Sequence, residues 1–399
     1  MKRRDFIKTS VVAASAAALG GVEVPEAVAA DKAVIRGFRP LGRTGFRMSD
    51  ISFGAGKLPS ASMVLRAIDA GINYFDTAPD YGPSEDYIGE ALKRFRARDK
   101  IFIASKFCSH EPYPGHLPLG SAKDAYIAAV EASLKRLGTD HLDVVFVHAI
   151  GEKPDFEAER QRLLDDAMLA AFQQLKQDGK VRFLATSSHG PHNMEQLLLE
   201  AVNSGHFDLI MPAFNFMKFP KVPEVLKAAQ AKGVGVVAMK TLAGAKDSGA
   251  DLGGVFEHAA FKWVLKHPEV AGLVVTIRTT EELKLFVQAS GEAFAASDQR
   301  ILNRYAALHG ADYCRTGCGD CESGCDQGIP VAAILRYRMY FKDYGDEKTA
   351  MRTYAMVRDN AALCADCGTA ACSAGCSYGL DVRALLQDAH RHLSFQAPA

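Results

Sequence analysis

Short β-branched and aromatic runs alternate, from Ile51 to Arg278, with longer stretches whose apolar positions recur every three or four residues. Strand followed by helix, many times over, is the pattern of βα units around a parallel sheet. Eight runs read as strands: Ile51–Gly54, Tyr74–Ala78, Ile101–Lys106, Val144–His148, Val181–Ser187, Leu209–Phe214, Val234–Lys240 and Gly272–Arg278. Each leads into a helical stretch, such as Ser84–Arg98, Ser121–Leu137, Met194–Ser204 and Val255–His267, with polar residues near several starts and Gly or Pro near several ends. Eight such units close into a (β/α)8 barrel. Gly37–Met48, with Gly42 and Gly45 at its turn, reads as a hairpin plugging the barrel bottom. A doubly wound sheet is disfavoured, because no G-x-G-x-x-G follows any strand and Gly54-Ala55-Gly56-Lys57 lacks the later glycine.

The barrel is placed at 36–292. Beyond Glu292 the rhythm changes to a helix around Asp298–His309, a Cys/Gly-rich segment, a helical pair around Val331–Asp359 and a second Cys/Gly-rich segment. That stretch, 293–390, is a separate helical module. At the other end, Lys2-Arg3-Arg4-Asp5-Phe6-Ile7-Lys8 precedes the small apolar run Thr9–Gly21, and Ala27-Val28-Ala29 offers a cleavage site. Residues 1–30 resemble a twin-arginine (Tat) signal, which implies export of a folded, soluble protein to the periplasm by the Tat machinery. No other uninterrupted apolar run approaches the ~18 residues of a membrane span, so no stable membrane insertion is expected.

Composition narrows the partners. Of 399 residues, Lys and Arg number 47 and Asp and Glu 47, so no basic field exists to hold nucleic acid by charge.

Polar residues at the C-terminal ends of barrel strands are where such folds keep their chemistry. Asp76 ends the second strand and Tyr81 follows it; Lys106 closes the third and His148 the fourth. Singly they have plain readings, as a capping acid, a loop aromatic, a surface lysine and a strand-end histidine. Together they resemble the catalytic tetrad of the aldo-keto reductases, and the resemblance runs from Leu41-Gly42-Arg43-Thr44-Gly45 through the eighth strand. It implies hydride transfer between a nicotinamide, NADP(H) or NAD(H), and a small carbonyl or alcohol, without a metal. In that scheme Tyr81 is the general acid/base, Lys106 lowers its pKa from about 10, Asp76 balances Lys106, and His148 orients the substrate oxygen.

The same resemblance implies dinucleotide contacts at Ser187, Ser188 and Asn215, and at Arg278, Thr279 and Glu282, where a helix N-terminus and an arginine would meet phosphate. Thr276, Met211, Met239 and Leu285-Phe286 depart from the family pattern.

Eight of the nine cysteines fall in two blocks, Cys314-x3-Cys318-x2-Cys321-x3-Cys325 and Cys364-x2-Cys367-x4-Cys372-x3-Cys376, interleaved with glycines. Such loops suit two 4Fe-4S clusters, since glycine lets backbone N–H groups approach the sulfurs. The blocks resemble bacterial ferredoxin modules fused behind some aldo-keto reductases, with Asp326 and Ser377 where proline is usual. Two four-thiolate zinc sites, or four disulfides, are the other readings. Cys108 reads as a packed free thiol. The chain is thus expected to be an exported oxidoreductase whose clusters exchange electrons with a redox partner protein. The rivals are a non-catalytic or electron-transfer protein with a degenerate dinucleotide site, and a reductase with structural zinc.

Overall fold

The computed structural model describes residues 33–243 and 250–395. The expected export signal, residues 1–30, lies outside them. A short antiparallel hairpin, β1 (Phe38–Pro40) and β2 (Arg47–Ser49), is followed by eight parallel strands: β3 (Ile51–Gly54), β4 (Tyr74–Asp76), β5 (Phe102–Lys106), β6 (Leu142–Val147), β7 (Val181–Ser188), β8 (Leu209–Pro212), β9 (Gly235–Ala238) and β10 (Val270–Thr276). They close a barrel in the order β10-β3-β4-β5-β6-β7-β8-β9. Helices follow the strands, so each strand is buried on both faces and reads as a continuous apolar run.

The hairpin closes the N-terminal end. Leu41 and Met48 are fully buried against Tyr74, Phe102 and Leu209, which begin β4, β5 and β8. Its turn passes so close to β9 that a Cβ on Gly42, where φ is +52°, would sit 2.3 Å from the Gly235 nitrogen. Only glycine fits both the conformation and the approach. Arg36 then ties this entry to the exit of the barrel, hydrogen bonding through Nε to Ser290 O (3.1 Å).

After the barrel come the helices Ala296–His309, Val331–Lys342, Glu347–Ala355 and Val382–Leu393. The last was not anticipated, although Val382, Leu386, Ala389 and Leu393 form its buried stripe. This cysteine-bearing region lies across the C-terminal mouth of the barrel. Arg352 Nη2 donates to Tyr113 O (2.9 Å) in the loop after β5, Lys57 Nζ to Tyr344 O (3.5 Å), and Lys218 Nζ to Met339 Sδ (2.7 Å). No described helix is long and apolar enough to cross a membrane.

Candidate active site

The segment between β4 and the next helix is fixed by buried polar contacts that run into β5. Thr77 and Ser84 share a hydroxyl hydrogen bond (2.7 Å), and Glu85 is 1% exposed yet accepts from Ser105 Oγ (2.6 Å) and pairs with Arg136 Nε (2.6 Å). Ser105 directly precedes Lys106, so one buried carboxylate sets the helix behind Tyr81 against the strand that carries Lys106. A buried charge persists only when paired and hydrogen bonded in this way. Nothing in the sequence marked Glu85.

The four expected residues meet at the mouth. Lys106 Nζ is 2.8 Å from Asp76 Oδ1 and donates to Thr77 O (2.7 Å). It lies 4.7 Å from the centre of the Tyr81 ring, over its face. The Tyr81 hydroxyl is 3.4 Å from His148 Nε2. The expected lowering of the Tyr81 pKa is not what the geometry gives. Burial pushes the phenol well above 10, and the carboxylates of Asp76 and Asp80 push the same way. Lys106 is spent on Asp76 and Thr77 and faces the ring rather than the hydroxyl.

His148 is 4% exposed, and its Nδ1 edge is held by groups from two loops, Asp80 Oδ2 at 3.6 Å and Cys108 Sγ at 3.3 Å. Burial works to raise the Asp80 carboxyl, but His148, the Gly115 N–H and Lys106 outweigh it and bring it to about 2. Burial also keeps the Cys108 thiol protonated, well above its ordinary value. Cys108 is a buried free thiol, as expected, and in addition edges the His148 ring, whereas Asp80 was not singled out by the sequence. The D-x-x-x-D-Y spacing of Asp76, Asp80 and Tyr81 was the available signal.

Beyond His148 stands a second polar group, built from the loops after β5, β6 and β7. Tyr113 donates its hydroxyl to Glu152, which also lies 3.7 Å from His189 Nε2 and 3.9 Å from His116 Nδ1. The His116 and Tyr113 rings stand 5.0 and 5.6 Å from that of His148. Glu152, His116 and His189 keep part of their side chains exposed (25, 16 and 12%), so they line a crevice rather than a sealed core. Burial pushes Glu152 from 4.5 up to about 7, against the hydrogen bond from Tyr113. Between those values the folded state binds more protons than the unfolded chain, so this contribution to stability is present below about 4.5 and lost as pH rises through 7. We expect Glu152→Gln to gain on the wild type in urea-unfolding midpoint as pH rises across that window. A pH-independent difference between the two would contradict the assignment.

The expected dinucleotide contacts fall into two groups. Ser187 Oγ accepts from Ala149 N (3.0 Å) and keeps its own proton to offer. Ser188 Oγ donates to Ile150 O (2.7 Å), and the Asn215 amide is spent on Lys240 O (3.0 Å) and the Met217 and Lys218 N–H groups. Thr279 and Glu282 close a capping box on the helix Thr280–Val287, Glu282 also accepting from Arg278 N (2.6 Å). Arg278 is exposed at that helix start. Ser187 thus offers a hydroxyl and Arg278 a guanidinium beside a helix N-terminus, groups that could meet a dinucleotide, while the side chains of Ser188, Asn215, Thr279 and Glu282 are engaged within the chain.

All nine cysteines are free thiols, so the structure forms no disulfides. The thiols sort into two sets that cross the blocks. Cys321 is pushed up to about 12 by burial, with Glu322, Cys318 and Cys376 adding, while Cys314 is raised by burial, Cys318 and Cys321. Cys364 is pushed up to about 11 by burial, Cys372, Cys325 and Cys367. The backbone agrees: a Cβ on Gly375 would lie 3.7 Å from Cys321 Cα, and one on Gly324 would lie 3.6 Å from Ala371 O. Among the described residues only Asp80, Cys108 and His148 bring three ligand atoms within 4.8 Å of one another; no three module sulfurs do. Tetrahedral zinc at Zn–S of about 2.3 Å needs sulfurs roughly 4 Å apart.

Residues 57–254 match the model of the aldo/keto reductase family. The L-glyceraldehyde 3-phosphate reductase of Escherichia coli O157:H7 is 28% identical over 237 residues, 55% of this chain and 65% of that protein. The L-galactose dehydrogenase of Arabidopsis thaliana is 28% identical over 51% of this chain and, again, 65% of its own length. The chain thus spans less than two thirds of these curated relatives. A solved structure from Pseudomonas aeruginosa, described as a candidate aldo-keto reductase, superposes with a TM-score of 0.52 at 26% identity, covering 66% of this chain and 95% of that one.

Proposed function

From its membership of the aldo/keto reductase superfamily, which makes this chain an oxidoreductase of that type, we propose that it interconverts a small carbonyl compound and its alcohol at Tyr81. The observation that carries this reading is the buried Asp76–Lys106 pair beneath the Tyr81 ring, with His148 at the hydroxyl. A phenol held above 10 is fully protonated at neutral pH and is ready to donate to a carbonyl oxygen as it gains electrons. Lys106 then faces the phenolate that remains, and its charge favours that state. His148 points Nε2 at the same place, its ring set by Asp80 and Cys108. Ser187 and Arg278 would hold NADP(H) or NAD(H), which supplies or takes up the hydride when bound. The module thiols would hold two 4Fe-4S clusters exchanging electrons with a redox partner protein, and residues 1–30 would direct folded export through the Tat machinery to the periplasm.

The test is an anaerobic assay of the full, iron-loaded chain with both dinucleotides against small aldehydes, ketones and alcohols. We expect turnover in the wild type and its loss by about 10²-fold or more in Lys106→Met. No turnover with any pairing, or an unchanged Lys106→Met rate, removes the reading.

A further inference from the structure

Three side chains converge at the Nδ1 edge of His148, the edge turned away from Tyr81. Asp80 from the loop after β4, Cys108 from the loop after β5 and His148 at the end of β6 are all buried, and their ligand atoms lie within 4.8 Å of one another. Asp80 Oδ2 and Cys108 Sγ stand 3.6 and 3.3 Å from the same nitrogen, His148 Nδ1. A nucleophile–base–acid relay puts its nucleophile and its acid on opposite nitrogens of the imidazole, so this trio is not one. At 3.6 Å the Asp80 contact is also longer than the about 2.7–3.2 Å of an N–H···O hydrogen bond. The spacing is that of metal ligands. Around tetrahedral zinc, with nitrogen, oxygen and sulfur at about 2.0–2.3 Å from the ion, neighbouring donor atoms stand roughly 3.3–3.8 Å apart.

Two further observations point to a ligand. The Asp80 side chain is 0% exposed, yet its Oδ1 meets no donor among the described residues, and a buried acceptor left without one is costly. His116 Nε2 is likewise buried without a partner, on a ring 5.0 Å from that of His148. The loop after β5 holds these groups together. Cys108 and His116 form an isolated β-bridge, Ser109 N donates to Gly115 O (2.8 Å), and Gly115 N donates to Asp80 Oδ2 (3.0 Å). A Cβ on Gly115 would lie 2.9 Å from Asp80 Cβ, so the loop reaches the carboxylate only with glycine there. The neighbouring cations Lys106 and Arg162 are already paired, with Asp76 and Glu159 (2.8 Å each). Asp80 and a Cys108 thiolate then supply two negative charges, the complement of a dication.

We propose that Asp80, Cys108 Sγ and His148 Nδ1 form a zinc site, its fourth position left to His116 or to water from the crevice. Mixed sulfur, nitrogen and oxygen donors select zinc over magnesium or calcium, which take oxygen alone. Cys108 gives its thiol proton to solvent as the ion binds, because the thiolate is the ligand. An ion on Nδ1 leaves the ring proton on Nε2, 3.4 Å from the Tyr81 hydroxyl, and so fixes His148 as a donor toward that place.

The experiment incubates the iron-loaded full chain with zinc chloride under anaerobic conditions, removes free metal on a desalting column and measures zinc and iron. We expect about one zinc retained per chain with iron undiminished, and zinc affinity lowered by about tenfold or more in Asp80→Asn and in Cys108→Ser. Zinc-edge X-ray absorption of the wild type is expected to show one sulfur neighbour at about 2.3 Å among nitrogen and oxygen neighbours at about 2.0–2.2 Å. That spectrum decides the question even where a variant does not fold. No retained zinc, zinc gained at the expense of iron, a shell of sulfurs alone, as the cysteine module would give, or affinity unchanged in either variant overturns the site. Neither readout involves turnover, so the zinc site and the carbonyl chemistry stand or fall separately.

Discussion

We expect Tyr81→Phe to lose about 10²- to 10⁴-fold in kcat for the proposed carbonyl reduction, roughly 3–5 kcal/mol of transition-state stabilisation, with KM changed little. The variant keeps the ring, and with it the face over which Lys106 lies at 4.7 Å, so the buried Asp76–Lys106 pair is undisturbed and the loss belongs to the hydroxyl alone. The pH profile gives a second check. Because burial and two carboxylates hold the phenol above 10, wild-type reduction shows no decline attributable to Tyr81 on the alkaline side until pH exceeds about 10. Steady-state kinetics across pH with one aldehyde measure both. A phenylalanine variant within about threefold of the wild type would mean that the proton comes from elsewhere, with His148 the next group in line.

The barrel was legible because strands covered on both faces are continuous apolar runs, and Ile51–Gly54 and the start of β7 at Val181 fall where the pattern put them. The pattern failed where a polar residue belongs to the core. β6 begins at Leu142 rather than Val144, because Asp143 sits inside the strand as a buried carboxylate that accepts from Ile103 N (2.9 Å) and pairs with Arg98 and Arg182 (2.8 Å each). No periodicity announces a charge with partners 40 residues away. The meeting of Asp76, Tyr81, Lys106 and His148 was legible for the opposite reason: they end or follow consecutive strands, and strand order sets their neighbours. Cys108, Asp80 and the Tyr113–Glu152–His189 group come from loops, whose paths no strand count fixes. Ser188, Asn215 and Glu282 were placed at the correct rim, yet where their hydrogen bonds go depends on backbone turns that sequence position does not reveal.

If the proposed clusters form, we expect iron and acid-labile sulfide in anaerobically purified chain to come to about eight atoms each, and single and double cysteine variants to separate the two ways of grouping the thiols. Electrostatic neighbourhood joins Cys376 to Cys314, Cys318 and Cys321, and joins Cys325 to Cys364, Cys367 and Cys372. If each site takes its fourth ligand from the other block, Cys321→Ala removes about half of the iron, and adding Cys376→Ala removes little more because the same site is already lost. Adding Cys325→Ala to Cys321→Ala instead strips nearly all of it. If each block closed on its own site, the two double variants would exchange behaviour, since Cys325 would then share the site of Cys321. Zinc in place of iron would require sulfurs drawn together to roughly 4 Å, which no three of the module's thiols satisfy, so a zinc-loaded wild type would mean that the segments between Cys314 and Cys376 rearrange on binding. Two sites that exchange ligands lock the Cys321–Cys325 turn against the Cys372–Cys376 turn, and those turns support the helix Val331–Lys342 that carries Arg336 and Met339 over the barrel mouth. Loss of either site should therefore loosen the roof of the candidate active site as well as remove iron.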